Sequence, residues 1–293
     1  MTGGFIVAVT DIEFEYIQTN GIQLHVAVSG PEDGELVVLL HGFPEFWFSW
    51  RKQIRVLAAS GYRVVAPDQR GYNKSEKPDG RKAYRIDKLE QDIVGLIDHY
   101  GYESAAVVGH DWGGGVAWQL ASTHPDKVNR LIVINMPYPA VLPKVLRKKP
   151  SQGLKSSYML FFQIPALPEK ILSSKDHAYM AQALVQTSRK GTFTDDELDA
   201  YRIAWARPQA LTSMLNWYRA IPYSKKYIPN DKVEVPVKII WGAGDQFLSK
   251  KLAEETLNYA SNSSVTWVDE ATHWVHQEQP EYVNEQILQF LES

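Results

Sequence analysis

Val107 to Gly115 read VVGHDWGGG: two β-branched residues, a glycine, a histidine and an aspartate, then a tryptophan and three glycines. This is the pattern of a buried strand that runs into a sharp turn of small residues and out into a helix. A strand–turn–helix of the form Gly-x-Ser-x-Gly lifts a nucleophilic serine above the edge of a sheet. Here the raised position is Asp111. A serine needs a base before it can attack, whereas an aspartate carboxylate is already ionised at neutral pH.

The chain on either side supports a sheet. ELVVLL, YRVVAP, SAAVVG, RLIVIN, VPVKIIWG and SVTWVD are short apolar runs bounded by turn residues. Amphipathic stretches separate them, such as RIDKLEQDIVGLIDHYG, where Ile86, Leu89, Ile93, Ile97 and Tyr100 share one helical face. Alternation of this kind predicts a mostly parallel sheet with helices on both faces. FEYIQTNGIQLHVAVSG, turning at Asn20-Gly21, predicts an antiparallel hairpin before it. The pattern breaks at NMPYPAVLPKVLRKKP, and from Pro137 to Ile221 only helical periodicities remain. The expected organisation is an α/β core of residues 1–136 and 222–293 with a helical insert at 137–221. The basic KVLRKK reads as a solvated helix face.

Composition narrows the function. The 293 residues are 44% hydrophobic and 22% charged, with a net charge of −3, which makes no case for nucleic acid or an anionic membrane as partner. The absence of cysteine excludes disulfides and thiol chemistry and fits a reducing compartment. MTGGFIVAVT lacks a basic start and runs straight into DIEFEY, a poor leader peptide. A cytoplasmic protein without metal or cofactor is expected; its oligomeric state stays open.

Open parallel sheets bind ligands beyond the carboxyl ends of their strands. Those ends carry His41-Gly42-Phe43-Pro44, Asp68 to Gly71, Asp111, Asp245 and His273. Nucleophile, acid and histidine thus follow the chain order of the α/β-hydrolase triad. Asp269 and Glu270 lie too close along the chain to His273 to serve as its acid, and Asn135, at another strand end, supplies no charge. With HGFPEFWFSW, DQRGYNKSEKP, GHDWGG and LNWYR in this order, the chain resembles the epoxide hydrolases of the α/β-hydrolase superfamily over nearly its whole length.

The resemblance implies an α/β-hydrolase fold with the insert as a cap, and hydrolysis of a small-molecule epoxide through an ester on Asp111. His273, oriented by Asp245, activates water against that ester. The N–H groups of Phe43 and Trp112 form the oxyanion hole, and the cap tyrosines Tyr158 and Tyr218 hold the epoxide oxygen; Tyr201 is an outside candidate. Phe43, Trp112, Phe161, Phe162, Trp205 and Trp217 are expected to line an apolar pocket. The register H-x-x-x-x-E-x-P, His273 with Glu278 and Pro280, makes His273 the base and leaves His276 at the surface or beside the site. His41 and His110 read as hydrogen-bonded structural residues. Three alternatives share the scaffold. A haloacid dehalogenase needs arginines where Trp112 and Gly115 stand, while a haloalkane dehalogenase could use Trp112 to bind halide. A non-catalytic ligand-binding relative would not need Asp111, Asp245 and His273 together.

Overall fold

The computed structural model describes residues 11–148, 150–224 and 232–293. The MTGGFIVAVT stretch and Lys149 of the basic run lie outside them. Eight strands form one sheet: β1 (Glu13–Thr19), β2 (Ile22–Ser29), β3 (Leu36–Leu40), β4 (Arg63–Pro67), β5 (Ala105–His110), β6 (Val128–Ile134), β7 (Val237–Gly242) and β8 (Ser263–Val268). Their spatial order is β1-β2-β4-β3-β5-β6-β7-β8. β1 and β2 are the antiparallel hairpin; Asn20 and Gly21 turn it with φ of 45° and 75°, as a two-residue turn of opposite hand requires. β2 pairs antiparallel with β4, and the strands from β4 through β8 run parallel.

The two-residue period of the strands sorts their side chains into two cores. Val38 and Leu40 of β3, with Val107 of β5 and Val133 of β6, face one side. There they meet α2 (Ile86–His99) and α3 (Trp112–Thr123), through Leu89, Ile93 and Val116. Val37, Leu39, Val108 and Ile132 face the other side, where Ile54 and Leu57 of α1 (Arg51–Ala59) pack with Val283 and Ile287 near the C-terminus. Strands buried on both faces explain the unbroken β-branched runs in the sequence.

Between β6 and β7 the described residues form no strand. They form α4 (Val141–Lys148), α5 (Pro150–Lys155), α6 (Tyr158–Phe161), α7 (Leu167–Leu172), α8 (Ser174–Thr187), α9 (Asp195–Trp205) and α10 (Ala210–Arg219). Thr194 and Glu197 start α9 with a reciprocal capping box. α11 (Lys250–Thr256), α12 (Val275–Glu278) and α13 (Pro280–Leu291) complete the chain. In α4, Val141 and Val145 are buried while Lys144 and Arg147 face out, the arrangement expected of its basic face.

Candidate active site

Asp111 sits between the last residue of β5 and the first of α3, with φ 47° and ψ −122°. That backbone costs a non-glycine residue about 1–3 kcal/mol. Close packing holds it there. A Cβ on Gly109 would lie 2.4 Å from the Gly113 carbonyl oxygen, and one on Gly113 would lie 2.1 Å from that of Leu40. The glycines therefore let β3, the turn and α3 come together and raise Asp111 above the sheet. The Phe43 N–H donates to Asp111 Oδ1 at 2.9 Å. Trp112 opens α3, so its N–H belongs to the unpaired first turn, whose dipole favours the carboxylate.

His273 joins this turn to two other strand ends. Its Nδ1 lies 2.8 Å from Asp245 Oδ2, and its Nε2 lies 3.5 Å from Asp111 Oδ2. Asp245 is itself fixed, since its Oδ1 accepts from the N–H groups of Phe247 and Leu248 at 2.7 and 2.9 Å. The Asn135 amide donates to Asp245 Oδ2 at 2.7 Å and accepts from the Gly242 N–H at 2.8 Å. Asn135 supplies no charge, but it ties the ends of β6 and β7 to the acid. Burial alone would lower the His273 pKa; the carboxylates of Asp245 and Asp111 outweigh it and hold the ring at about 10. Burial likewise works against ionisation of Asp111, yet His273 and the Phe43 N–H keep its pKa below the usual carboxylate range.

A cavity of about 190 Å³ opens over these groups. Asp111, His273, Tyr158, Tyr218, Phe43 and Phe162 line it, with Leu172, Met180, Leu184, Phe247 and Trp274. Tyr158 and Tyr218 stand with ring centroids 6.0 Å apart, and Phe43 meets Tyr218 edge-on at 5.3 Å. Burial raises both tyrosine pKa values, and the Asp111 carboxylate adds to it in each, so each hydroxyl keeps its proton at neutral pH.

Four rings expected in the pocket stand elsewhere. Trp205 is buried with its indole N–H donating to the Pro44 carbonyl at 2.6 Å, and Trp217 donates to the Arg70 carbonyl at 2.9 Å. Both are core residues whose N–H is spent on the seam between insert and sheet. Trp112 packs edge-on behind Tyr218 at 5.1 Å, and Phe161 lies behind Phe162. Tyr201 is fully buried against Phe46 and Trp205 and does not reach the cavity. The wall these residues were expected to supply comes from α8. Met180, Ala183, Leu184 and Thr187 recur at helical spacing, a signal present in the sequence but shared with any amphipathic helix.

His276 is no surface residue. It is fully buried, with Nε2 3.2 Å from Glu45 Oε1, and burial holds its pKa down to about 4. His110 lies between Glu45 Oε2 at 2.8 Å and the His273 carbonyl at 2.9 Å. The three ligand atoms of Glu45, His110 and His276 fall within 4.8 Å, but the Glu45 oxygens are already occupied by the two rings, the Gly42 N–H and Gln277. This is a hydrogen-bonded floor beneath the site. His41 is also buried, its Nε2 accepting from the Gln69 N–H at 3.0 Å, and Asp68 is enclosed by His25, Trp47 and Asn73. Glu278 accepts from the Thr272 N–H and hydroxyl, both at 2.6 Å, and so steadies the loop that carries His273.

The family model for the α/β-hydrolase fold matches residues 35–280. A Bacillus subtilis α/β-hydrolase superfamily protein, YfhM, is 49% identical over 96% of this chain and 99% of its own. Human epoxide hydrolase 4 is 40% identical over 94% of this chain and 78% of its own. Among solved structures, Bacillus megaterium epoxide hydrolase in complex with an inhibitor superposes with a TM-score of 0.87 at 34% identity, covering 95% of this chain and all of that one. The chain belongs to the α/β-hydrolase fold family. Within it, the relatives named above place it among the epoxide hydrolases. The eight-stranded, mostly parallel sheet described here is thus the fold that this chain has in common with the Bacillus megaterium enzyme.

Proposed function

We propose that the protein converts an epoxide and water to a vicinal diol through an alkyl ester of Asp111. The observation that carries this reading is one cavity lined at once by Asp111, His273 and the two tyrosines Tyr158 and Tyr218. An Asp111 oxygen attacks an epoxide carbon and that carbon's bond to the ring oxygen breaks. The oxygen leaves as an alkoxide, a poor leaving group that Tyr158 and Tyr218 stabilise by hydrogen bonding and proton donation. Water then gives a proton to His273 Nε2 as its oxygen attacks the ester carbonyl. The oxyanion is held by the N–H groups of Phe43 and Trp112. Collapse releases the diol, whose oxygen takes the proton from His273, and the carboxyl proton left on Asp111 passes to the ring and restores the resting ion pair.

Charge explains the order of events. While Asp111 is ionised, it and Asp245 hold His273 protonated, with a pKa of about 10. Esterification removes the Asp111 charge, so the ring loses one of the two carboxylates that raised its pKa; its proton passes to the tyrosinate left by ring opening, and the freed Nε2 can act as a base. In this reading residues 137–221 are the cap, and residues 1–136 and 222–293 are the core. A chain without cysteine suits the reducing cytoplasm, and no helix among the described residues is long and apolar enough to cross a membrane.

Trapping the ester tests this. His273→Gln incubated with styrene oxide should gain the mass of one substrate on the peptide that holds Asp111, and Asp111→Asn should gain none. An inactive His273→Gln enzyme that stays unmodified would remove the covalent mechanism.

A further inference from the structure

The loop that carries Asp245 runs from the end of β7 to the start of α11, and two side chains divide the bonding of its backbone. Asp245 Oδ1 accepts from the N–H groups of Phe247 and Leu248. The other side chain is Gln152, in α5 of the helical stretch after β6. Its Nε2 donates to the Phe247 carbonyl at 2.7 Å, and its Oε1 accepts from the Ser249 N–H at 3.1 Å. Phe247 is thus gripped at its N–H by the acid and at its carbonyl by Gln152. One turn further along α5, the Lys155 ammonium donates to the Asp245 carbonyl at 3.1 Å.

Gln152 is 1% exposed, although glutamine is mostly a surface residue. A buried amide needs partners, and within its own stretch Nε2 meets the Ser156 hydroxyl at 3.2 Å. Its bonds to Phe247 and Ser249 reach 95 and 97 residues along the chain, onto the loop whose acid lies 2.8 Å from His273 Nδ1. The Phe247 ring extends the connection, standing edge-on to His273 at 5.1 Å and to Tyr158 at 5.9 Å. Without Gln152, the Phe247 carbonyl and the Ser249 N–H lose these partners and the loop relaxes to find others. Asp245 moves with it, because its Oδ1 is bonded to the same backbone. A misplacement of about 1 Å can cost a catalytic pair on the order of a hundredfold.

We propose that Gln152 is a positioning residue for ester hydrolysis: from α5 it seats the 245–249 loop and so sets Asp245 against His273. Gln152 does not line the cavity and acts only through the loop. The helical stretch then serves both half-reactions, with Tyr158 and Tyr218 for ring opening and Gln152 for hydrolysis. The effect on turnover rests on the hydrolase reading above; the seating of Asp245 does not.

Gln152→Met keeps the length of the side chain and removes its hydrogen bonds. In stopped flow with styrene oxide, ester hydrolysis should slow by roughly ten- to a hundredfold while alkylation stays within about twofold, since base and orienter are needed only in the second step. The ester on Asp111 should then accumulate during turnover, which mass spectrometry of that peptide reads. A residue that merely fastened α5 would act differently, because loosening it displaces Tyr158 at the start of α6 and slows alkylation. Lys155→Met, at a half-buried side chain, should slow hydrolysis by roughly two- to fivefold and leave alkylation alone.

The resting enzyme gives a readout free of substrate. The downfield proton resonance of the His273 Nδ1–H, assigned by its loss in His273→Gln, should move upfield or vanish in Gln152→Met and move less in Lys155→Met. An unmoved resonance in folded Gln152→Met, or alkylation slowed as much as hydrolysis, overturns the proposal. Should Gln152→Met fail to fold, Lys155→Met decides: an unmoved resonance overturns the proposal and an upfield shift supports it. A wild type that forms no ester, with a resonance that still moves in Gln152→Met, would strike at the hydrolase reading alone.

Discussion

At the scale of single residues, the protein depends on charges that hold each other in place. His273 is buried between Asp111 and Asp245, and its pKa rises from 6.5 to about 10. A histidine with a raised pKa binds its proton more tightly when folded, so its contribution to stability is full below pH 6.5 and fades as pH climbs to about 10. The stability gap between wild type and His273→Gln, from urea denaturation at several pH values, should therefore narrow across that window. A narrowing of at least about 1.4 kcal/mol is expected, the equivalent of a single pKa unit. A constant gap would mean that the ring is neutral in the resting enzyme. Asn135 shows how a residue without charge matters here: its amide satisfies Asp245 and the Gly242 N–H together.

At the scale of elements, the turn from β5 into α3 owes its shape to what its glycines allow. Gly113 faces backbone, with the Leu40 carbonyl oxygen 2.1 Å from where a Cβ would stand. Gly115, two residues on, would place its Cβ 3.2 Å from the Met136 side-chain terminus, which can swing aside. Gly113→Ala should thus yield little soluble, folded enzyme, or lose more than about 3 kcal/mol, among the largest effects of a point substitution. Gly115→Ala should lose less than about 1 kcal/mol and keep measurable activity. Thermal melts and activity of the two variants side by side check this. Equal tolerance would mean that the turn relaxes more easily than its packing implies.

At the scale of the whole molecule, the proposed reaction is divided between two bodies of structure. The sheet brings Asp111, Asp245 and His273 together, and the helical stretch after β6 brings Tyr158 and Tyr218 over them. Loss of a tyrosine hydroxyl removes a donor needed when the epoxide ring opens, so it should slow ester formation and spare ester hydrolysis. Tyr158→Phe and Tyr218→Phe should each slow alkylation by roughly ten- to a hundredfold, less than a sole oxyanion donor is worth. The double variant should fall below either single by more than a factor of about ten. Stopped-flow tryptophan fluorescence separates the two steps; wild-type alkylation in the double variant would make the tyrosines mere packing.

The sheet and the three groups of the proposed triad were legible in the sequence because their determinants are local. β-branched runs, the glycines around Asp111 and the strand-end positions of Asp245 and His273 each declare themselves within a few residues. The pocket wall was not legible, since whether an aromatic ring faces a cavity or a neighbour depends on partners far along the chain. Trp205 and Trp217 are spent on the carbonyls of Pro44 and Arg70, more than a hundred residues away, while Met180 and Leu184 take the wall. Which of its two expected places His276 takes, the surface or beside the site, was not legible for the same reason, as its partner Glu45 lies at the other end of the sequence. Composition and period fix which residues can be buried or raised to an edge; only the tertiary structure decides which of them meet, because each contact joins segments whose separation along the chain carries no trace of it.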